Sequence, residues 1–329
     1  MRIAIDAMGG DHAPSLIVKG ALEAALEWPA VHLILVGDTA QIETHLGSKR
    51  PSNIEILHAE DVIGPDDEPV KAVRRKKNSS MVMAGQLVRE GKAEAMLSAG
   101  NTGALMTTGL LVVGRMEGIE RPALVTMLPT MDDKGVLALD LGANMDAKPE
   151  HLLQYAIMGS IYRSKMNGMD KPRVGLLNVG TEAMKGNELT KAAYELLETA
   201  PIHFIGNVEA RDVLVRNCDV LICDGFAGNI MLKAMEGTAG TLFKTMRDVF
   251  TSSLLSKLAA AIVQPKLRAL RNKMDYKEHG GAPLLGVNGL VVKCHGSSDV
   301  KAVKNAVRQA KLAIESNLIS SIAAEISRK

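Results

Sequence analysis

In GTEAMKGNE, Gly180 to Glu188, Lys185 lies between Gly180 and Gly186 with Thr181, Glu182 and Asn187 beside it. A lysine supplies a point positive charge, and flanking glycines let successive backbone N–H groups close around an anion. AGNTGA, Ala99 to Ala104, repeats the idea without the charge: Gly100 and Gly103 permit close backbone approach while Asn101 and Thr102 donate from side chains. Three further turns carry similar residues: Gly9, Gly10 and His12 in AMGGDH, Asn144 in LGAN, and Asp224, Gly228 and Asn229 in DGFAGN. Each has an ordinary use alone, since Asn, Thr and Asp cap helices and Gly opens loops. Gathered on one edge they suit an anionic substrate, phosphate being the best fit. Asn187 then caps the following helix, and Glu182 and Asp224 orient Lys185 and backbone amides.

What must position these turns is a parallel sheet, because each turn follows an apolar, β-branched run: IAID, AEAMLS, VLALD, RVGLLN and DVLIC. Buried parallel strands read as continuous apolar runs, and their carboxyl edge is where helix N-termini face a ligand. Further strands fit Val31 to Gly37, Ile54 to His58, Ala123 to Leu128, His203 to Gly206 and Leu290 to Cys294, most alternating with helical stretches. The pattern predicts a three-layer α/β/α fold on a mostly parallel sheet, with residues 1–329 as a single catalytic domain. Asp132 to Gly135 should turn a hairpin at the sheet's antiparallel end. Residues 229–277 carry no strand signal and predict a helical excursion, broken near Thr251 to Ser253 and at Pro265. Ser298 to Ile326 predicts a final helix with a one-sided apolar stripe.

Composition excludes several classes. Net charge is +2 and aromatics are 3%, so neither a polyanion-seeking field nor base-stacking surfaces are present, and no nucleic-acid partner is expected. Cys218, Cys223 and Cys294 make no C-x-x-C pair and read as small buried residues in a reducing compartment. Asp6 interrupts the first apolar stretch too early for a secretory signal, and no run is long enough to span a membrane. A cytoplasmic location follows. There is no G-x-G-x-x-G, no P-loop, no G-x-S-x-G and no H-E-x-x-H. No cofactor, metal or enzymic nucleophile is expected.

The blocks IAIDAMGGDHAP, LSAGNTGALM, LDLGAN, LLNVGTEAMKGNEL, ICDGFAGNIMLK and GAPLLGVNGLVVKCHGSS together identify a resemblance spanning nearly the whole chain. They are similar to those of the phosphate acyltransferases of bacterial phospholipid synthesis, the PlsX family. The resemblance implies conversion of fatty acyl-(acyl carrier protein) and inorganic phosphate to acyl phosphate and free carrier, feeding a downstream glycerol-3-phosphate acyltransferase. It implies a fold similar to isocitrate and isopropylmalate dehydrogenases and phosphotransacetylases, a homodimer, and peripheral association with the inner face of the cell membrane. Phosphate attack on a thioester needs no enzymic nucleophile, which accounts for the missing motifs. Lys185 is then the first choice for holding phosphate, Asn229 or Asn101 for donating to the carbonyl oxyanion, and His12 for a proton to the thiol.

Leu254, Leu255, Leu258, Ile262 and Val263, followed by Lys266, Arg268, Arg271 and Lys273, suit an interfacial anchor on an anionic leaflet. The same segment suits a packed dimer interface with solvated cations, and the resemblance favours an anchor at the tip of helices that also make the dimer contact. Arg74 to Lys77 and the cations at 266–273 compete as docking patches for the acidic carrier. Two other readings share features with this one: a short-chain phosphotransacetylase using acyl-coenzyme A, and a non-catalytic membrane scaffold.

Overall fold

The apolar run Ala123 to Leu128, expected as one strand, is where the sheet divides. The computed structural model describes residues 1–47, 50–273 and 280–327. Its strands are β1 (Arg2–Asp6), β2 (His32–Gly37), β3 (Ile54–His58), β4 (Ala95–Ser98), β5 (Ala123–Leu124), β6 (Thr126–Leu128), β7 (Val136–Leu139), β8 (Arg173–Asn178), β9 (His203–Glu209), β10 (Val220–Ile222), β11 (Ala282–Leu285) and β12 (Leu290–Lys293). A seven-stranded sheet has the order β3-β2-β1-β4-β12-β11-β5, and a five-stranded sheet the order β6-β7-β10-β8-β9. Pairing is antiparallel at β11 with β12 and β5, and at β6 with β7, and parallel elsewhere. Val125 is the crossing point: its N–H donates to Pro283 O at 2.9 Å while β5 pairs in one sheet and β6 in the other.

The helices are α1 (Ser15–Glu27), α2 (Thr39–Leu46), α3 (Pro69–Arg75), α4 (Ser80–Arg89), α5 (Thr102–Thr108), α6 (Pro149–Asn167), α7 (Glu188–Glu198), α8 (Gly225–Thr251), α9 (Leu254–Lys273), α10 (Val300–Glu315) and α11 (Leu318–Ile326). Alternation along the strands assigns them to layers. Ile3, Ile5, Leu33 and Leu35 of one sheet and Leu137, Leu139 and Leu176 of the other share a core with α1, α6, α7, α10 and α11. That layer runs continuously beneath both sheets. On the far side, Ala4, Ile34, Val36 and Met96 pack on α3, α4 and α5, and Ala138, Leu221 and Cys223 pack with Met231 of α8. The α/β/α layering is therefore as expected, with the sheet in two parts. All three cysteines are free and buried.

The helices depart from the sequence reading in two places. The C-terminal stripe breaks into α10 and α11 at Asn317, whose φ of +53° ends one helix and starts the next. In the excursion the break at Thr251 to Ser253 is present, but α9 carries Pro265 within it. Ala261 and Pro265 are both exposed, so the carbonyl left without its donor faces water, where the loss is small. Residues 274–279 of the expected excursion lie outside the described residues.

The hairpin at Asp132 to Gly135 forms, with positive φ at Asp133 and Gly135. Arg163 of α6 is fully buried beneath it and donates to Lys134 O at 3.1 Å and Gly135 O at 3.0 Å. At the amino ends of β8 and β10, Asp219 accepts from the Arg173 backbone N–H at 2.9 Å and Nε at 3.1 Å, and pairs with Arg216. Arg216 also pairs with Asp132, which ties the hairpin to this cluster.

Candidate active site

β1, β4 and β12 are neighbours, so their carboxyl ends lie side by side, and a buried carboxylate knits their turns. Asp6 accepts from Ser98 Oγ at 2.6 Å and Met8 N at 3.2 Å, and Ser98 Oγ accepts from Gly100 N at 3.0 Å. Ser98 O accepts from Cys294 N at 2.8 Å, and Gly296 O from Asp11 N at 2.8 Å. Burial pushes the Asp6 carboxyl up, against the pull of the Ser80 and Ser98 hydroxyls and the Met8 and Gly9 amides. The crowding explains a glycine: a Cβ on Gly9 would sit 2.5 Å from Asp6 Oδ2.

A cavity of about 330 Å³ opens where these turns meet the second sheet. One wall is polar: Thr102 at the start of α5, Lys293 at the end of β12, and His295, Ser297 and Ser298 in the turn before α10. The other is apolar: Leu124 and Met127 from the divided strand, Leu141 after β7, and Leu232 on α8. Lys293 donates to Cys294 O, and burial lowers its pKa against the raising influence of nearby Cys294, Asp11 and Asp6. A cation and hydroxyls facing an apolar wall can hold an anion against an acyl group. Among the described residues no cluster of metal-ligating side chains is present.

The turns singled out from sequence divide between the two sheets. Thr102 reaches the cavity. Asn229 sits against Gly142 and lies one helical turn from Leu232, so it stands near the apolar wall; a Cβ on Gly142 would be 3.5 Å from Asn229 Cγ. Asn101 is committed elsewhere, because Oδ1 caps α5 by accepting from Ala104 N at 3.1 Å and Nδ2 donates to Pro65 O at 3.0 Å and Asp67 O at 3.2 Å. Asn144 is likewise occupied, donating to Pro122 O and Asp140 Oδ2, both at 2.9 Å. Asn187 caps α7 and Asp224 caps α8. Gly10, with φ of +113°, packs on Ala99, Gly100 on Met81, Gly103 on Pro69, and Gly228 on Asp140 O.

His12 is exposed and away from the cavity lining. The GTEAMKGNE turn is also displaced: Thr181, Glu182 and Lys185 are exposed, the Lys185 stem folds over Gly180 beside the Glu182 carboxylate, and none of them lines the cavity. Strand order gives the reason, since β8 is separated from β7 by β10 and so stands back from the junction. The lysines that line the cavity are Lys293, half-buried, and Lys301, exposed, and the sequence reading singled out neither. The signal was present in VVKCHGSS, another apolar run ending in a polar turn with a glycine.

Residues 1–321 match the family described as fatty acid synthesis protein. A phosphate acyltransferase of Brevibacillus brevis is 60% identical over 307 residues, covering 93% of this chain and 92% of its own. One from Bacillus subtilis is 56% identical over 330 residues, covering 100% and 99%. Among solved structures, a phosphotransacetylase from Streptococcus pyogenes aligns with a TM-score of 0.62 at 16% identity over 96% of this chain and 94% of that one. A branched-chain phosphotransacylase from Enterococcus faecalis aligns with a TM-score of 0.59 at 15% identity, covering 95% and 99%. These distant structures establish the fold.

Proposed function

The chain belongs to the phosphate acyltransferase family of fatty acid synthesis, and we propose that it transfers a fatty acyl group from acyl carrier protein to inorganic phosphate, supplying acyl phosphate for glycerol-3-phosphate acylation. The observation that carries this reading is the two-walled cavity at the sheet junction. Phosphate lies on the polar wall and the acyl thioester on the apolar one. A phosphate oxygen attacks the carbonyl carbon, forming a C–O bond and a tetrahedral oxyanion. Collapse of that oxyanion breaks the C–S bond, and the electron pair leaves with the carrier's sulfur, which takes a proton from solvent. Inorganic phosphate is already a charged nucleophile, so the protein's part is to align the reactants and stabilise the oxyanion. Asn229 is the donor to the oxyanion in this reading; a single such donor is worth about 10²–10³ in rate. Asn101 holds the 64–67 loop instead.

Trapping acyl phosphate with hydroxylamine tests the reading. Long-chain acyl carrier protein should give hydroxamate at least about tenfold faster than acetyl-coenzyme A, a gap of about 1.4 kcal/mol in transition-state binding. The reverse preference would make the chain a short-chain phosphotransacetylase, and no product from either donor would leave a scaffold.

The excursion completes the proposal. α9 packs along α8 and presents Leu255, Leu258 and Ile262 at 80%, 66% and 81% exposure, spaced to share one face. Lys257, Lys266 and Arg268 are exposed nearby, and Val263 is half-buried. The side chains of Leu254, Arg271 and Lys273 lie outside the described residues. No described helix is long and apolar enough to cross a membrane. A tip resting on the anionic inner leaflet, with α8 making the contact between two copies, accounts for this apolar face without spanning. Leu258→Asp with Ile262→Asp should lose sedimentation with anionic vesicles, since each side chain contributes about 1.5 kcal/mol or more to burial. Equal sedimentation would end the membrane claim. For the carrier, Lys76 is already engaged with Asp67 at 2.7 Å, which leaves Arg74, Arg75 and Lys77 of the basic run exposed.

A further inference from the structure

We infer that Lys293 is the residue that holds inorganic phosphate in the cavity. The inference rests on the acyltransferase reading for the identity of the anion, and on the geometry for the residue. Lys293 stands at the carboxyl end of β12, between the α5 turn and the turn leading to α10, and lines the cavity. Its ammonium carries three donors and donates to one carbonyl, that of Cys294. Among the described residues it has no carboxylate within ion-pair distance, although Asp11 and Asp6 stand close enough to be felt. A cation withdrawn from water without a counter-ion is costly, and an anion entering the cavity removes that cost. The Thr102 and Ser298 hydroxyls also line this space and are without protein partners among the described residues.

The chemistry selects which anion. At the reacting centre the thioester is neutral, so phosphate is the charged partner there. A cation on the polar wall attracts it and offsets the repulsion between phosphate and the developing oxyanion. Lys185 offers the same charge but sits on an exposed turn away from the lining.

The test uses the full chain in three forms, wild type, Lys293→Met and Lys293→Arg, with acyl phosphate trapped by hydroxylamine while phosphate and acyl carrier protein are varied separately. Lys293→Met should raise the half-saturating phosphate concentration about ten- to a hundredfold and leave that for the acyl donor within about twofold. Lys293→Arg should recover most of the loss. An unchanged phosphate dependence, a rise confined to the acyl donor, or an effect found in Lys185→Ala in its place would each overturn the assignment. Should Lys293→Met fail to fold, the wild type suffices: inorganic phosphate should slow acetic-anhydride labelling of Lys293, read by mass spectrometry, and leave labelling of Lys185 unaltered. Equal rates with and without phosphate count against the inference. A wild type that makes no acyl phosphate from any thioester overturns the functional reading instead, and the labelling result then decides this one.

Discussion

Asp219→Ala should lower the unfolding free energy by about 3–5 kcal/mol at pH 7, the usual cost of removing one partner from a buried ion pair. The carboxylate side chain is 8% exposed and serves two guanidiniums at once, those of Arg173 and Arg216, as well as the Arg173 backbone N–H. Alanine leaves the Arg173 backbone N–H without its acceptor and both guanidiniums without their shared carboxylate, Arg216 keeping only Asp132 and Arg173 only the Arg216 carbonyl, at the junction of β8, β10 and the β6–β7 hairpin, where Arg163 already sits buried. The sign of the pH dependence follows from the same contacts. Burial pushes the Asp219 carboxyl up, but the Arg173 hydrogen bonds and the charges of Arg173 and Arg216 outweigh it and hold the group below its ordinary 3.8. A carboxyl depressed in the folded state contributes stability that is complete above the unfolded value and is lost as pH falls through the folded one. The gap between wild type and variant should therefore be widest near pH 7 and narrow below pH 3.8. Urea unfolding at neutral and acid pH checks both parts. A deficit under about 1 kcal/mol at pH 7, or one that stays constant into acid, would contradict the pairing.

Local patterns in the chain reported local structure well. The hairpin at Asp132, the caps Asn187 and Asp224, and the turns after β1, β4, β7, β8 and β10 follow from short-range stereochemistry, and all are present. Partner choice is different in kind. Ala123 to Leu128 is one extended run, and nothing within it says that Val125 passes from one sheet to another. β11 was hidden by Pro283, which argues against a strand when read alone. Lys185 and Lys293 sit in turns of similar composition, and what separates them is strand order, a long-range property. β12 lies beside β4 and reaches the junction; β8 lies behind β10 and does not. Composition thus pointed to polar, lysine-bearing turns at strand ends, while topology decides which of those turns borders the cavity.

Gly228→Ala should cost about 1–3 kcal/mol in stability and reduce turnover about a hundredfold. A Cβ at this position would lie 2.2 Å from Asp140 O and 2.7 Å from Cys223 Sγ, closer than atoms can approach, so one side must yield. The Asp140 side is pinned, because its carboxylate accepts from Ala143 N at 2.9 Å and Asn144 N at 2.6 Å. The α8 side is pinned as well: Asp224 accepts from Phe226 N and Ala227 N, and Gly225 already lies against Asn144 O. The strain is relieved most easily by tilting the start of α8 away from the sheet. Such a tilt carries Asn229 and Leu232 with it, and displacement near 1 Å at a positioning group is what turnover tolerates least. Gly237, farther along the same helix, has nothing within 4 Å of a built Cβ, so Gly237→Ala should leave turnover intact and stabilise by about 0.5–1 kcal/mol. Wild-type turnover and stability in Gly228→Ala would show that α8 is not held at its first turn, and the placement of Asn229 beside the cavity would lose its physical basis.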